Sequence, residues 1–142
     1  MGDMRVYGSY LVARKDHERR LLGVATNLAD HWNSLDLDEE PSIEQVMSMD
    51  LSGVFALFNI ELYHREIWGH YRLYGDLPNN HDLFLTTIAP LFRSGSRITG
   101  EYDGEVFGQW RFSGGRATFY PPIPVTFSRL GTLLPKPRIS NK

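Results

Sequence analysis

The chain reads as a single α+β domain over residues 1–120, an antiparallel sheet with two main helices on one face, followed by an extended proline-rich tail at 121–142. Three observations predict this class. One early segment repeats apolar residues at three- and four-residue spacing, the stripe of a helix packed on a sheet. The last strands before the tail alternate apolar and polar residues between glycine-bearing turns, the pattern of a β-meander. Helix-like and strand-like segments follow one another as β-α-β-β-α-β-β-β, which matches a split β-α-β arrangement with both helices on one side of the sheet.

Residues 4–13, MRVYGSYLVA, predict the first strand, with Met4, Val6, Tyr10 and Val12 on one face. A helix is predicted from Asp16 to Trp32, because Leu21, Leu22, Val24, Ala25, Leu28, Ala29 and Trp32 recur at three- and four-residue spacing. Asn33 to Gly53 is irregular and acidic. Within it Ser42 and Gln45 have capping-box spacing and predict a short helix near Ile43 to Met49.

Leu57 to Tyr63 and Ile67 to Tyr74 both read as strands, joined by a tight loop around Arg65 and Glu66. Arg-Glu is poor chemistry for a two-residue turn, so a four-residue loop is favoured. That loop pairs Tyr63 with Trp68, Glu61 with His70 and Asn59 with Arg72. It places Phe58, Ile60, Leu62, Ile67, Tyr71 and Leu73 toward the core. A second helix is expected from His81 to Phe92, capped by Asn80, its last turn tightened by Pro90 and stopped by Gly95.

The final strands are Arg97–Tyr102, Val106–Phe112 and Arg116–Tyr120. Gly104 suits a three-residue turn and Gly114-Gly115 a type I′ turn. Those turns put Ile98, Gly100, Tyr102, Val106, Gly108, Trp110, Phe112, Ala117 and Phe119 on one face, and Phe107, Gln109, Arg111 and Tyr120 on the other. The tail holds five prolines, and a chain so rich in proline is expected to be extended and partly disordered.

Composition narrows the chemistry. There is no cysteine, which excludes disulfides, thiolate nucleophiles and cysteine-held zinc or iron–sulfur centres, and fits a cytoplasmic protein. No apolar run is long enough to span a bilayer, and no start resembling a signal peptide is seen, so a membrane role is not expected. The histidines have no metal-ligand spacing: His17 and His31 lie roughly 20 Å apart along a helix, and His64 and His70 are expected on opposite faces of the hairpin. Neither a metal nor a cofactor is expected. Segment 93–97, RSGSR, has one glycine and no lysine, so it is no phosphate loop.

Charge is segregated. From Leu21 to His64 there is no Lys or Arg, against Asp30, Asp36, Asp38, Glu39, Glu40, Glu44, Asp50 and Glu61. After Glu105 there is no acid, against Arg111, Arg116, Arg129, Lys136, Arg138 and Lys142. Such segregation can steer a charged partner or join two copies of one chain; equally, an acidic loop and a basic tail can be solvated or neutralise each other within the fold. With a net charge of −2, general nucleic-acid affinity is disfavoured.

These readings predict a small non-enzymatic interaction protein, of an inhibitor, immunity-type or assembly-subunit kind. It would present an acidic surface at Asp36, Asp38, Glu39 and Glu40, and an aromatic-polar sheet face at Asn59, Tyr63, Trp68 and Tyr74. Its partner would be a protein with a basic surface, or a second copy. The alternative is an enzyme or small-ligand binder in which Glu61 orients His70 as a general base beside Arg72.

Overall fold

The computed structural model describes residues 4–122 and, beyond them, the backbone of two short strands, Val125–Phe127 and Leu133–Pro135. Strand β1 is Met4–Val12 and helix α1 His17–Asp30. Two short helices follow, α2 at Ile43–Ser48 and α3 at Leu51–Ala56. Strands β2 (Glu61–His64), β3 (His70–Tyr74) and β4 (Asp76–Leu77) lead to helix α4 at His81–Ile88, which runs on into a 3-10 turn at Ala89–Leu91. Strands β5 (Arg97–Tyr102), β6 (Glu105–Ser113) and β7 (Arg116–Tyr120) complete the domain, and β8 (Val125–Phe127) pairs antiparallel with β9 (Leu133–Pro135).

The sheet is antiparallel, in the order β2-β3-β1-β5-β6-β7, with β4 paired to the start of β1. The α+β class holds. Each long crossover steps over one strand: β3 lies between β1 and β2, and β1 lies between β3 and β5. That is the split β-α-β connection, extended by the β6–β7 meander.

One face of the sheet carries the core. From α1 come Val24 and Leu28, and from α4 come Phe84, Leu85 and Ile88. They meet Leu11, Ile98, Trp110 and Phe112 from the strands, all nearly inaccessible to solvent. Burying each large side chain is worth roughly 1.5–3 kcal/mol. Rings lock edge to face, Phe55 on Phe84 at 6.0 Å and Phe92 on Phe112 at 5.9 Å between centroids. Trp110 keeps its indole N–H satisfied by donating to the Asp82 carboxylate at 2.7 Å. Ser96 is the buried polar side chain among the described residues, and its hydroxyl accepts from the Val12 amide at 2.9 Å.

Several local expectations change. Asp16 stands before α1 but does not cap it; its carboxylate holds Arg14 at 2.8 Å and Arg20 at 3.0 Å instead. Those guanidinium groups keep its carboxyl well below the usual carboxylate range. Between Val6 and Gly8 the β1–β5 register slips, making Tyr7 an extra residue. A bulge reverses the alternation beyond it, so Leu11 is buried while Tyr10 turns to the open face.

The stretch read as irregular up to Gly53 ends in helix α3, because Asp50 accepts the Gly53 amide at 2.7 Å and caps it; residues 57–60, read as the start of the strand, turn instead, and β2 begins at Glu61. The turn at Asp103-Gly104 has two residues, both at positive φ, not three. A second bulge at Phe107 restores the register, exposing Val106 and turning Phe107 toward Trp110 and Phe119. Asn80 precedes α4 but its side chain makes no cap hydrogen bond, and Leu22, read into the stripe of α1, is exposed. Other readings stand: the Ser42–Gln45 capping box forms in both directions, Pro90 tightens the last turn of the second helix, and Gly114-Gly115 closes β6 onto β7. The two paired strands lie within the tail; its other residues beyond Pro122 are outside the described residues.

Candidate functional site

Among the described residues, no helix covers the second face of the sheet. Its side chains follow from the register. Tyr63 of β2 faces Arg72 of β3, and Tyr10 of β1 faces Arg97 of β5. Arg97 faces Arg111 of β6, which faces Thr118 of β7. Since Leu11 is opposite Tyr71 and Val12 opposite His70, Tyr10 comes beside Arg72. A single row therefore crosses all six strands: Tyr63, Arg72, Tyr10, Arg97, Arg111, Thr118. With strands about 4.8 Å apart it spans roughly 24 Å.

The arginines are held by rings, not by carboxylates. Arg72 lies over Tyr63 at 5.8 Å, Arg97 over Tyr10 at 5.0 Å and Arg111 over Tyr120 at 4.3 Å. Arg65, from the end of the β2–β3 hairpin, approaches Tyr10 at 5.7 Å and donates to the Ser9 carbonyl at 3.2 Å. Cation–π contact orients a guanidinium while leaving its N–H fork facing water. The ion pairs among the described residues lie elsewhere, at Arg5–Asp76 and around Asp16. Arg97 and Arg111, directly opposite across two strands, repel each other. Their leaning outward onto different tyrosines relieves part of that repulsion, and an arriving anion would relieve more.

The hairpin register differs from the one expected. Glu61 is opposite Tyr74, and Tyr63 opposite Arg72. The loop holds Glu66 to Gly69, closed by the Arg65 amide donating to the His70 carbonyl at 2.8 Å, and Gly69 supplies the positive φ it needs. The chain turns at Gly69 because that glycine, not Arg65-Glu66, tolerates the left-handed residue. Trp68 consequently sits in the loop and is 82% exposed, and Ile67, expected in the core, is exposed as well.

The proposed dyad is not brought together. Glu61 accepts from the Tyr63 hydroxyl at 2.7 Å, which raises the tyrosine's pKa, while His70 packs edge-on against Tyr10 at 5.5 Å. Asn59 does not face Arg72; it takes a positive φ after α3 and lines a different groove. His64 and His70 sit on opposite sides of their strands, yet both border one cleft of about 560 Å³ with Tyr10, Arg65, Ile67 and Arg72. Tyr74 remains on the open face at its β4 end, exposed as expected.

The acidic residues form a second surface. Leu35 and Pro41 are buried and pin the segment between them, and Asp36, Asp38, Glu39 and Glu40 are all exposed. They line an open groove of about 820 Å³ together with Gln45, Asn59 and residues 75–79. Among the described residues no three His, Asp or Glu side chains are grouped to hold a metal ion, and no helix is long and apolar enough to cross a membrane.

Sequence reasoning put Tyr10 on the face of Met4 and Val6 and did not single out Arg65 or Arg97 as binding residues. The alternation of β5 could have placed Arg97 on the open face; no signal in the sequence marks the bulge that turns the half-buried Tyr10 toward it. Compared with known proteins, the chain matches no family model, no curated protein and no solved structure.

Proposed function

We propose that this chain is a non-enzymatic interaction protein whose working surface is the open sheet face, docking a protein partner that offers exposed carboxylates. The observation that carries this reading is the row of arginines held on tyrosines, with no carboxylate partner among the described residues. The composition of the face supports a protein over a nucleic acid. Arginine, tyrosine and tryptophan dominate protein interfaces and their hot spots, whereas lysine is depleted there; among the described residues this face carries no lysine, and Glu61 and Glu101 interrupt its positive charge. Preoriented guanidinium groups lose less entropy on pairing with carboxylates than free ones do. An inhibitor or an assembly subunit works through such a face.

The test is titration with poly-L-glutamate beside a single-stranded oligonucleotide, using the wild type and an Arg72→Ala/Arg97→Ala double variant. Polyglutamate is expected to bind in a salt-sensitive manner. The double variant is expected to lose more than about 2 kcal/mol, as hot-spot residues do, with an unchanged circular dichroism spectrum because both side chains are exposed. Tighter binding of the oligonucleotide than of polyglutamate would replace the protein partner with a nucleic acid.

A further inference from the structure

An acidic complement to the arginine face is present on the same chain. Helix α2 buries none of its residues and is held locally, the Gln45 amide donating to the Ser42 hydroxyl at 3.1 Å and the Ser42 amide to the Gln45 side chain at 2.8 Å. On one side of it Ile43 and Met47, four residues apart and thus one above the other, are 77% and 72% exposed. Immediately before it stand Asp38, Glu39 and Glu40, with Glu44 in its first turn. A capped, solvent-facing element that joins four carboxylates to two bare apolar side chains has the form of a ligand, not of a scaffold.

We propose that Asp38 to Met47 of one copy docks on the arginine–tyrosine face of a second copy, and that the reciprocal contact closes a two-fold dimer. The charges are complementary: among the described residues these acids pair with no cation, and these arginines with no acid. The apolar parts match too, since Ile43 and Met47 find exposed Tyr63 and Tyr74 rings, and methionine sulfur packs well against aromatic edges. Placement allows closure. The acidic groove is bordered by Gly75 and Asp76, next in sequence to Tyr74 on the open face, so the two surfaces abut along one rim. A two-fold axis near that rim sets each surface of one copy against the other surface of its partner, and closed two-fold pairs are the commonest oligomers.

This inference rests on the sheet face being a docking surface, and a charge swap separates the two claims. One variant carries Asp38→Lys, Glu39→Lys and Glu40→Lys; the other carries Arg72→Glu and Arg97→Glu. Sedimentation of the wild type should show a concentration-dependent dimer that weakens at high salt, where charges are screened within about 3 Å at 1 M. Each variant alone should be monomeric, because like charges then meet at both contacts. An equimolar mixture should recover the dimer, because both contacts again pair opposite charges. A wild type that stays monomeric at the highest soluble concentration, a dimer indifferent to either variant, or a mixture that stays monomeric would overturn the dimer. The lysine variant should still bind polyglutamate, so a monomeric wild type that does the same leaves the docking face standing without the dimer.

Discussion

At the scale of single residues, several side chains take roles different from those their neighbours in sequence imply. Asp16 has the position of a helix cap and is instead the hub of an arginine cluster. Its folded pKa is depressed, so its contribution to stability is complete above the ordinary carboxylate range and is lost as pH falls through the depressed value. An Asp16→Asn variant should therefore be less stable than the wild type at neutral pH, and the two should converge as the solution is made strongly acidic. Urea unfolding along a pH series measures this; a gap that persists at the acid end would mean that the ion cluster is not its source. His70 makes the opposite point. Its outward orientation was readable from alternation, but its neighbour was not, since a partner on the next strand depends on where the loop turns.

Among elements, the two bulges matter most, because each moves a whole set of side chains across the sheet. The Phe107 bulge is stabilised by close packing: Gly108 lies under the Phe119 ring, and a Cβ added there would overlap that ring and come within 2.8 Å of the Tyr120 carbonyl. Gly108→Ala should accordingly cost about 1–3 kcal/mol, the range of an overpacked site. Gly23, on the solvent side of α1, has nothing within 4 Å of such a Cβ, and Gly23→Ala should add about 0.5–1 kcal/mol through helix propensity alone. Thermal denaturation of both variants decides it, and equal effects would refute the packing argument. The helix α3 was legible after the fact: Asp50 three residues before Gly53, then Leu51, Val54 and Phe55 at helical spacing, then Asn59 as a left-handed stop. Its strand-like continuation FALFNIEL masked it, because a short apolar run does not reveal its own period.

For the whole molecule, one core joins both helices to the sheet, with Phe84 near its centre against Phe55 and Phe58. Phe84→Ala should cost about 3–5 kcal/mol, a large part of the 5–15 kcal/mol typical of a domain. Because no second core exists among the described residues to fold alone, the loss should appear as one cooperative transition at lower urea. Separate transitions for the helices and the meander would contradict a shared core.

The elements legible in the chain alone are those whose information is local: the stripe of α1, the capping box of α2, the glycine turn of β6–β7, the strand faces within the hairpin and the segregation of charge. Those properties depend on propensity, period and composition, which neighbours along the chain supply. The register of β2 on β3, the bulge that turns Tyr10 outward, and the row that draws Arg72, Arg97 and Arg111 from three strands onto one face emerge when the sheet assembles. Register is settled by which turn residue tolerates a positive φ and by which packing wastes least apolar surface, and both are properties of the assembled sheet.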